Sequence, residues 1–120
     1  MSKVTVVDDN PGYCLFLKEI LTGKEFEVVG EAYDGKEAVR LVRDLRPELV
    51  VMDIEMPQMD GLEATGIIRS DAPGTAVVLI SVNDEEEYHR QARAAGAVAF
   101  IPKTTFSLKR LLEELARPGR

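Results

Sequence analysis

At 120 residues the chain is sized for one domain, which buries roughly two-thirds of the surface that its unfolded form exposes. With 45% hydrophobic and 30% charged residues it is neither disordered nor fibrous, and no apolar run reaches the roughly 20 residues of a membrane helix. A net charge of −6 excludes a general attraction to nucleic acid backbones, which reward clustered Lys and Arg.

The first apolar run, "VTVVD" from Val4, reads as a strand and ends in two adjacent carboxylates, Asp8 and Asp9, whose like charges repel. Ahead of it, "MSKVTVVDD" lacks the long apolar core of a signal peptide, so a cytoplasmic location is expected. Asn10 and Pro11 form an N-cap with proline at the first helical position. A helical stripe follows through Tyr13, Phe16, Leu17, Ile20 and Leu21, with Gly23 at the C-cap. The single Cys14 excludes an internal disulfide or a Cys-rich zinc site and is expected to pack in that helix. "EVVGEA" from Glu27 is the second strand, followed by a stripe of Ala38, Leu41, Val42 and Leu45.

"ELVVMD" from Glu48 is the third strand and stops at Asp53. Asp60 with Glu63 then resembles a capping box, and the helix it opens contains Gly66, which costs roughly 1 kcal/mol relative to alanine. Met52, Met56 and Met59 are expected in packing. "AVVLIS" from Ala76 is the fourth strand and ends at Ser81. The acidic run "DEEE" suits a helix N-terminus, where the dipole favours negative charge. His89, the only histidine, is expected on the solvated face of that helix, which closes at Gly96. "VAFI" from Val98 is the fifth strand; Lys103 follows it, and Leu108, Leu111, Leu112 and Leu115 stripe a last helix. Residues 117–120 are expected as a frayed tail or the start of a linker.

Strands that are apolar at nearly every position are buried on both faces, so the alternation predicts a doubly wound α/β fold, a five-stranded parallel sheet with right-handed crossovers. Ligands of such sheets bind beyond the carboxyl ends of the strands. Asp8, Asp9, Asp53, Ser81 and Lys103 all fall at that edge. Three carboxylates there repel one another unless a cation or protons intervene, and hard oxygen donors suit Mg²⁺. A carboxylate beside Mg²⁺ and a lysine can attack an electrophilic phosphorus. Read one at a time, the acidic pair is equally consistent with helix capping and Asp53 with a turn.

Together, "VDDNP", "DIEMPQMDGLEA" and "LIS…GAVAFIPK" resemble the receiver domain of bacterial two-component response regulators across nearly all of residues 3 to 116. The resemblance implies a single receiver domain over 1–120 with a flavodoxin-like (βα)5 fold and strand order 2-1-3-4-5. It implies that Asp53 accepts a phosphoryl group from a sensor histidine kinase or phosphotransfer protein. Mg²⁺ (or Mn²⁺) would be held by Asp9, Asp53 and the Glu55 backbone carbonyl, with Asp8 acting through water. Ser81 and Lys103 would contact the phosphoryl oxygens, and Ser81 with Phe100 would form a switch in which Phe100 moves inward and is buried. Glu55 and Asn83, two residues past Asp53 and Ser81, would tune the lifetime of the phosphoryl group. The face made by residues 85–95, 98–101 and 108–115 would bind an output domain, a partner or a second copy in a phosphorylation-dependent homodimer. Neither membrane nor direct nucleic acid binding is expected of this domain, and transcription regulation would need a separate output domain. Catalysis would be limited to its own phosphorylation and dephosphorylation.

The adjacent carboxylates of "DDNP" disfavour an aspartyl-phosphate phosphatase, whose carboxylates lie two apart. The absence of a glycine- or hydroxyl-rich loop after the first strand disfavours a nucleotide or flavin binder. A degenerate receiver is disfavoured because every chemical position is filled. Lys103 is followed by Thr104 where the family often has proline, which weighs against a cis bond there, since a non-proline cis bond costs ~3 kcal/mol.

Overall fold

Val, Ile and Leu crowd the five apolar runs, and each run is a strand. In the computed structural model, which describes residues 2–23 and 25–117, the strands are β1 (Ser2–Val7), β2 (Phe26–Ala32), β3 (Leu49–Asp53), β4 (Ala76–Ser81) and β5 (Ala99–Pro102). They alternate with α1 (Pro11–Leu21), α2 (Gly35–Leu45), α3 (Gly61–Asp71), α4 (Glu86–Ala95) and α5 (Leu108–Ala116), with a 3-10 turn at Lys103–Thr105. The sheet is parallel throughout, in the order β2-β1-β3-β4-β5. This is the flavodoxin-like arrangement that the resemblance implies. Residues 118–120 of the expected tail lie outside the described residues.

Successive strand residues point to opposite faces. Val4, Val6, Val51, Val78, Ile80 and Ile101 pack with Cys14, Leu17 and Leu21 of α1 and Leu111 of α5. Val7, Val50, Met52, Val77, Leu79 and Phe100 pack with α2, α3 and α4 through Val42, Ile68 and Ala92. Two covered faces are the reason the strands show no alternation in sequence. β2 lies at the edge and is only part-buried; its register against β1 slips between Val4 and Thr5, leaving Val29 as an extra residue.

Two helix stripes differ from expectation. The fully buried line of α1 is Cys14, Leu17 and Leu21, while Phe16 is 40% exposed, and Val39 in α2 is buried in preference to Leu45. The helix starts agree: Asn10 accepts from the Gly12 N–H at 2.8 Å and Asp60 from the Glu63 N–H at 2.8 Å. Of the two glycines expected at C-caps, Gly96 caps α4 with φ 105°, whereas α1 ends on extended Thr22 and Gly23 only follows in a turn. α3 runs unbroken through Gly66, anchored by buried Ala64, Thr65 and Ile68.

The chain after β3 doubles back on itself. The Gly61 N–H donates to the Ile54 carbonyl at 2.7 Å, and a Cβ at Gly61 would lie 2.3 Å from the Asp53 carbonyl oxygen. The Gly35 N–H donates to the Met59 carbonyl at 2.9 Å, fixing the same loop from α2. Both glycines stand where backbone passes too close for any side chain. Among the described residues no helix is long and apolar enough to cross a membrane.

Candidate functional site

The carboxyl ends of four strands deliver the site. Asp8 follows β1, Asp53 closes β3, Ser81 closes β4 and Lys103 follows β5. Asp8 and Ser81 are fully inaccessible and Asp53 is 4% exposed, whereas Asp9 faces solvent. The acidic pair does not cap α1. That role belongs to Asn10, whose own N–H donates to Asp8 Oδ1 at 2.9 Å. Carboxylate oxygens of Asp8, Asp9 and Asp53 all lie within 4.8 Å of one another. Lys103 Nζ reaches in, 2.7 Å from Asp8 Oδ2 and 3.4 Å from Asp53 Oδ2.

One ammonium cannot neutralise three carboxylates. Burial first, and then the charge on Asp8, push the Asp53 carboxyl up to about 7, against the pull of Lys103. Burial lowers the pKa of Lys103, but its contacts with Asp8 and Asp53 outweigh that and hold the ammonium above the ordinary lysine value. Asp53 Oδ1 is buried without a hydrogen-bond partner, an arrangement that costs free energy unless something occupies that side. Three converging hard oxygen donors, one of them unsatisfied, fit a Mg²⁺- or Mn²⁺-like cation.

Around Ser81 the side chains form a second network. The Ser81 hydroxyl donates to Glu55 Oε1 at 2.9 Å and accepts the Asn83 N–H at 3.0 Å, while Asn83 Nδ2 donates to Glu55 Oε2 at 3.1 Å. Tyr88 of α4 adds its hydroxyl to the same carboxylate. Burial would raise the Glu55 pKa, but these hydrogen bonds win and lower it, so Glu55 stays ionised. Its carboxylate thus turns to Ser81 and not to the acidic cluster.

Three further side chains are placed differently from what sequence reasoning gives. Phe100 is only 8% exposed, so an inward swing would gain little burial. His89 covers it edge-on with ring centroids 4.4 Å apart and pairs with Asp84 at 2.7 Å, so His89 is half-buried instead of solvated. Tyr13, expected only in a packing stripe, lies with its ring centroid 4.5 Å from Lys103 Nζ. The available signal was its place in the first turn of α1, which opens toward the strand ends. The described residues contain no cis peptide bond, so Lys103–Thr104 is trans.

The response regulator receiver domain family matches residues 4–116. The chemotaxis protein CheY of Thermotoga maritima is 37% identical over 118 residues, 98% of each chain. The receiver domain of the putative response regulator NarL from Mycobacterium tuberculosis superposes with a TM-score of 0.89 at 33% identity, over 97% of this chain and 98% of that one. A protein-glutamate methylesterase/protein-glutamine glutaminase of Pyrococcus horikoshii is 40% identical over 116 residues, 94% of this chain but only 31% of that protein. The chain therefore belongs to the response regulator receiver domains, the phosphoacceptor modules of two-component signalling. Membership implies a kinase as phosphoryl donor.

Proposed function

We propose that Asp53 is the phosphoacceptor of a single receiver domain in the cytoplasm. The observation that carries this is the meeting of Asp53, with its unsatisfied Oδ1, and Asp8, Asp9 and Lys103 at one strand edge. An ionised Asp53 oxygen attacks the phosphorus of a phosphohistidine on a sensor kinase or phosphotransfer protein; the new O–P bond forms as the N–P bond breaks, and the imidazole leaves with its electron pair. Asp8, Asp9, Asp53 and the Glu55 backbone carbonyl would hold Mg²⁺, or Mn²⁺. When bound, the cation neutralises charge on the phosphoryl oxygens and restores Asp53 to its ionised form. Lys103 and the Ser81 hydroxyl contact those oxygens. Glu55 and Asn83 set how readily water reaches the acyl phosphate.

The output reading rests on continuity between Ser81, Phe100 and α4. A groove of about 570 Å³, lined by residues that include His89, Arg93, Phe100, Arg110 and Glu114, runs over α4, β5 and α5. We assign the docking of a partner, an output domain or a second copy to this face, including 85–95, 98–101 and 108–115. Ser81 moving toward a phosphoryl oxygen would release the α4 end of its network, with Phe100 exchanging neighbours.

The test is intact mass after incubation with Mg²⁺ and phosphoramidate. Wild type should gain one phosphoryl group and Asp53→Asn none. A persistent adduct on Asp53→Asn would move the acceptor elsewhere.

A further inference from the structure

Resting on the phosphoacceptor reading, we propose that Tyr13 is a positioning residue for phosphoryl transfer: its ring face holds the Lys103 ammonium over the acidic cluster.

A lysine head on a flexible four-carbon stem samples many positions unless its neighbours restrict it. Here it has three neighbours, the carboxylates of Asp8 and Asp53 and the Tyr13 ring, whose centroid lies 4.5 Å from Nζ. That distance is within the range in which an aromatic quadrupole attracts a cation. The Tyr13 hydroxyl donates to the Lys103 carbonyl only at a long 3.4 Å, so the ring and not the hydroxyl does the holding. Phe16 braces the ring from the next turn, with centroids 5.1 Å apart.

The chemistry distinguishes the ring from the two carboxylates. A phosphoryl group on Asp53 brings oxygens that Lys103 can meet with its third N–H and with the donors it now gives to Asp8 and Asp53. The ring is neutral and takes none of the ammonium's three donors, so Lys103 can trade carboxylate for phosphoryl oxygens without leaving it. Tyr13 remains an uncharged donor throughout, because burial, followed by the charges on Asp8 and Asp53, pushes its hydroxyl up to about 12.

The full chain can be tested as Tyr13→Phe, which keeps the ring, and Tyr13→Leu, which keeps apolar bulk, each in wild-type and Lys103→Ala backgrounds. In metal-free, phosphate-free protein the Lys103 ε-methylene resonance should be shifted upfield by the ring in wild type and Tyr13→Phe, and should return to the ordinary lysine position in Tyr13→Leu. The rate of phosphoryl uptake from phosphoramidate in Mg²⁺ should fall about three- to tenfold in Tyr13→Leu, the range of a partly buried cation–π contact, with most of it restored in Tyr13→Phe. In the Lys103→Ala background, Tyr13→Leu should lower the rate no further. An unmoved lysine resonance in Tyr13→Leu would overturn the proposal. So would an equal fall in rate with and without Lys103, which would reduce Tyr13 to packing of α1. Absence of uptake by wild type would overturn the phosphoacceptor reading and is told apart by the lysine resonance, which needs no phosphate.

Discussion

Asp53 is held where its charge is disfavoured, and stability should show it. Its folded pKa of about 7 lies above the ordinary 3.8. A carboxyl raised in this way is no burden while both states are protonated, below about pH 4; stability is then lost as pH rises through 7. Without metal, Asp53→Asn should therefore stabilise the protein by on the order of 1–3 kcal/mol at pH 8 and by almost nothing near pH 3.5. Urea denaturation in a chelator at the two pH values measures this, and Mg²⁺ should shrink the gap at pH 8. The carboxylates, Ser81 and Lys103 were legible because each sits at a fixed offset from an apolar run. The bonds of Glu55 to Ser81, Asn83 and Tyr88 were not, since they join side chains from the loop after β3, the end of β4 with the loop after it, and α4, whose approach depends on tertiary packing. Phe100 could be named as an aromatic at the edge, but the His89 ring that covers it could not.

Among the elements, α3 carries an avoidable weakness. A Cβ at Gly66 would meet nothing within 4 Å, so Gly66→Ala should stabilise by about 0.5–1 kcal/mol, read from the urea midpoint. Gly61→Ala should do the reverse, costing about 1–3 kcal/mol or more, because the Asp53 carbonyl occupies the space of the new methyl. The network on Glu55 ties the start of α4 to the loop after β3. Glu55→Ala should accordingly speed amide hydrogen exchange several-fold at Val82 to Tyr88, while the core of β3 stays protected. Strand positions were readable to within about two residues because both sheet faces are covered and nearly every position of the inner strands is apolar. Helix faces were less so: α1 has more apolar residues than its buried face can hold, which leaves Leu15 and Phe16 outside, and α4 buries only Ala92 fully.

At the scale of the whole molecule, strand order came from the family likeness and not from any local signal, since alternation alone is compatible with several doubly wound orders. The two cores lie on opposite faces of one sheet, and the acidic edge sits where α1 begins. Cys14 lies in the core under α1, beside that edge, fully inaccessible, its thiol donating to the Asp8 carbonyl at 3.3 Å. Burial first, then Glu31 and Asp8, push that thiol up to about 12, so it is inert in the folded protein. As the sole sulfhydryl of the chain, it makes the molecule its own stopwatch. A thiol reagent can mark only molecules that have opened, and the marking rate reports how often they do. Mg²⁺ that binds only the folded state should slow that rate in proportion to one plus its concentration over its dissociation constant. Metal affinity could then be read without altering the sequence, from the time a reagent takes to modify one sulfur.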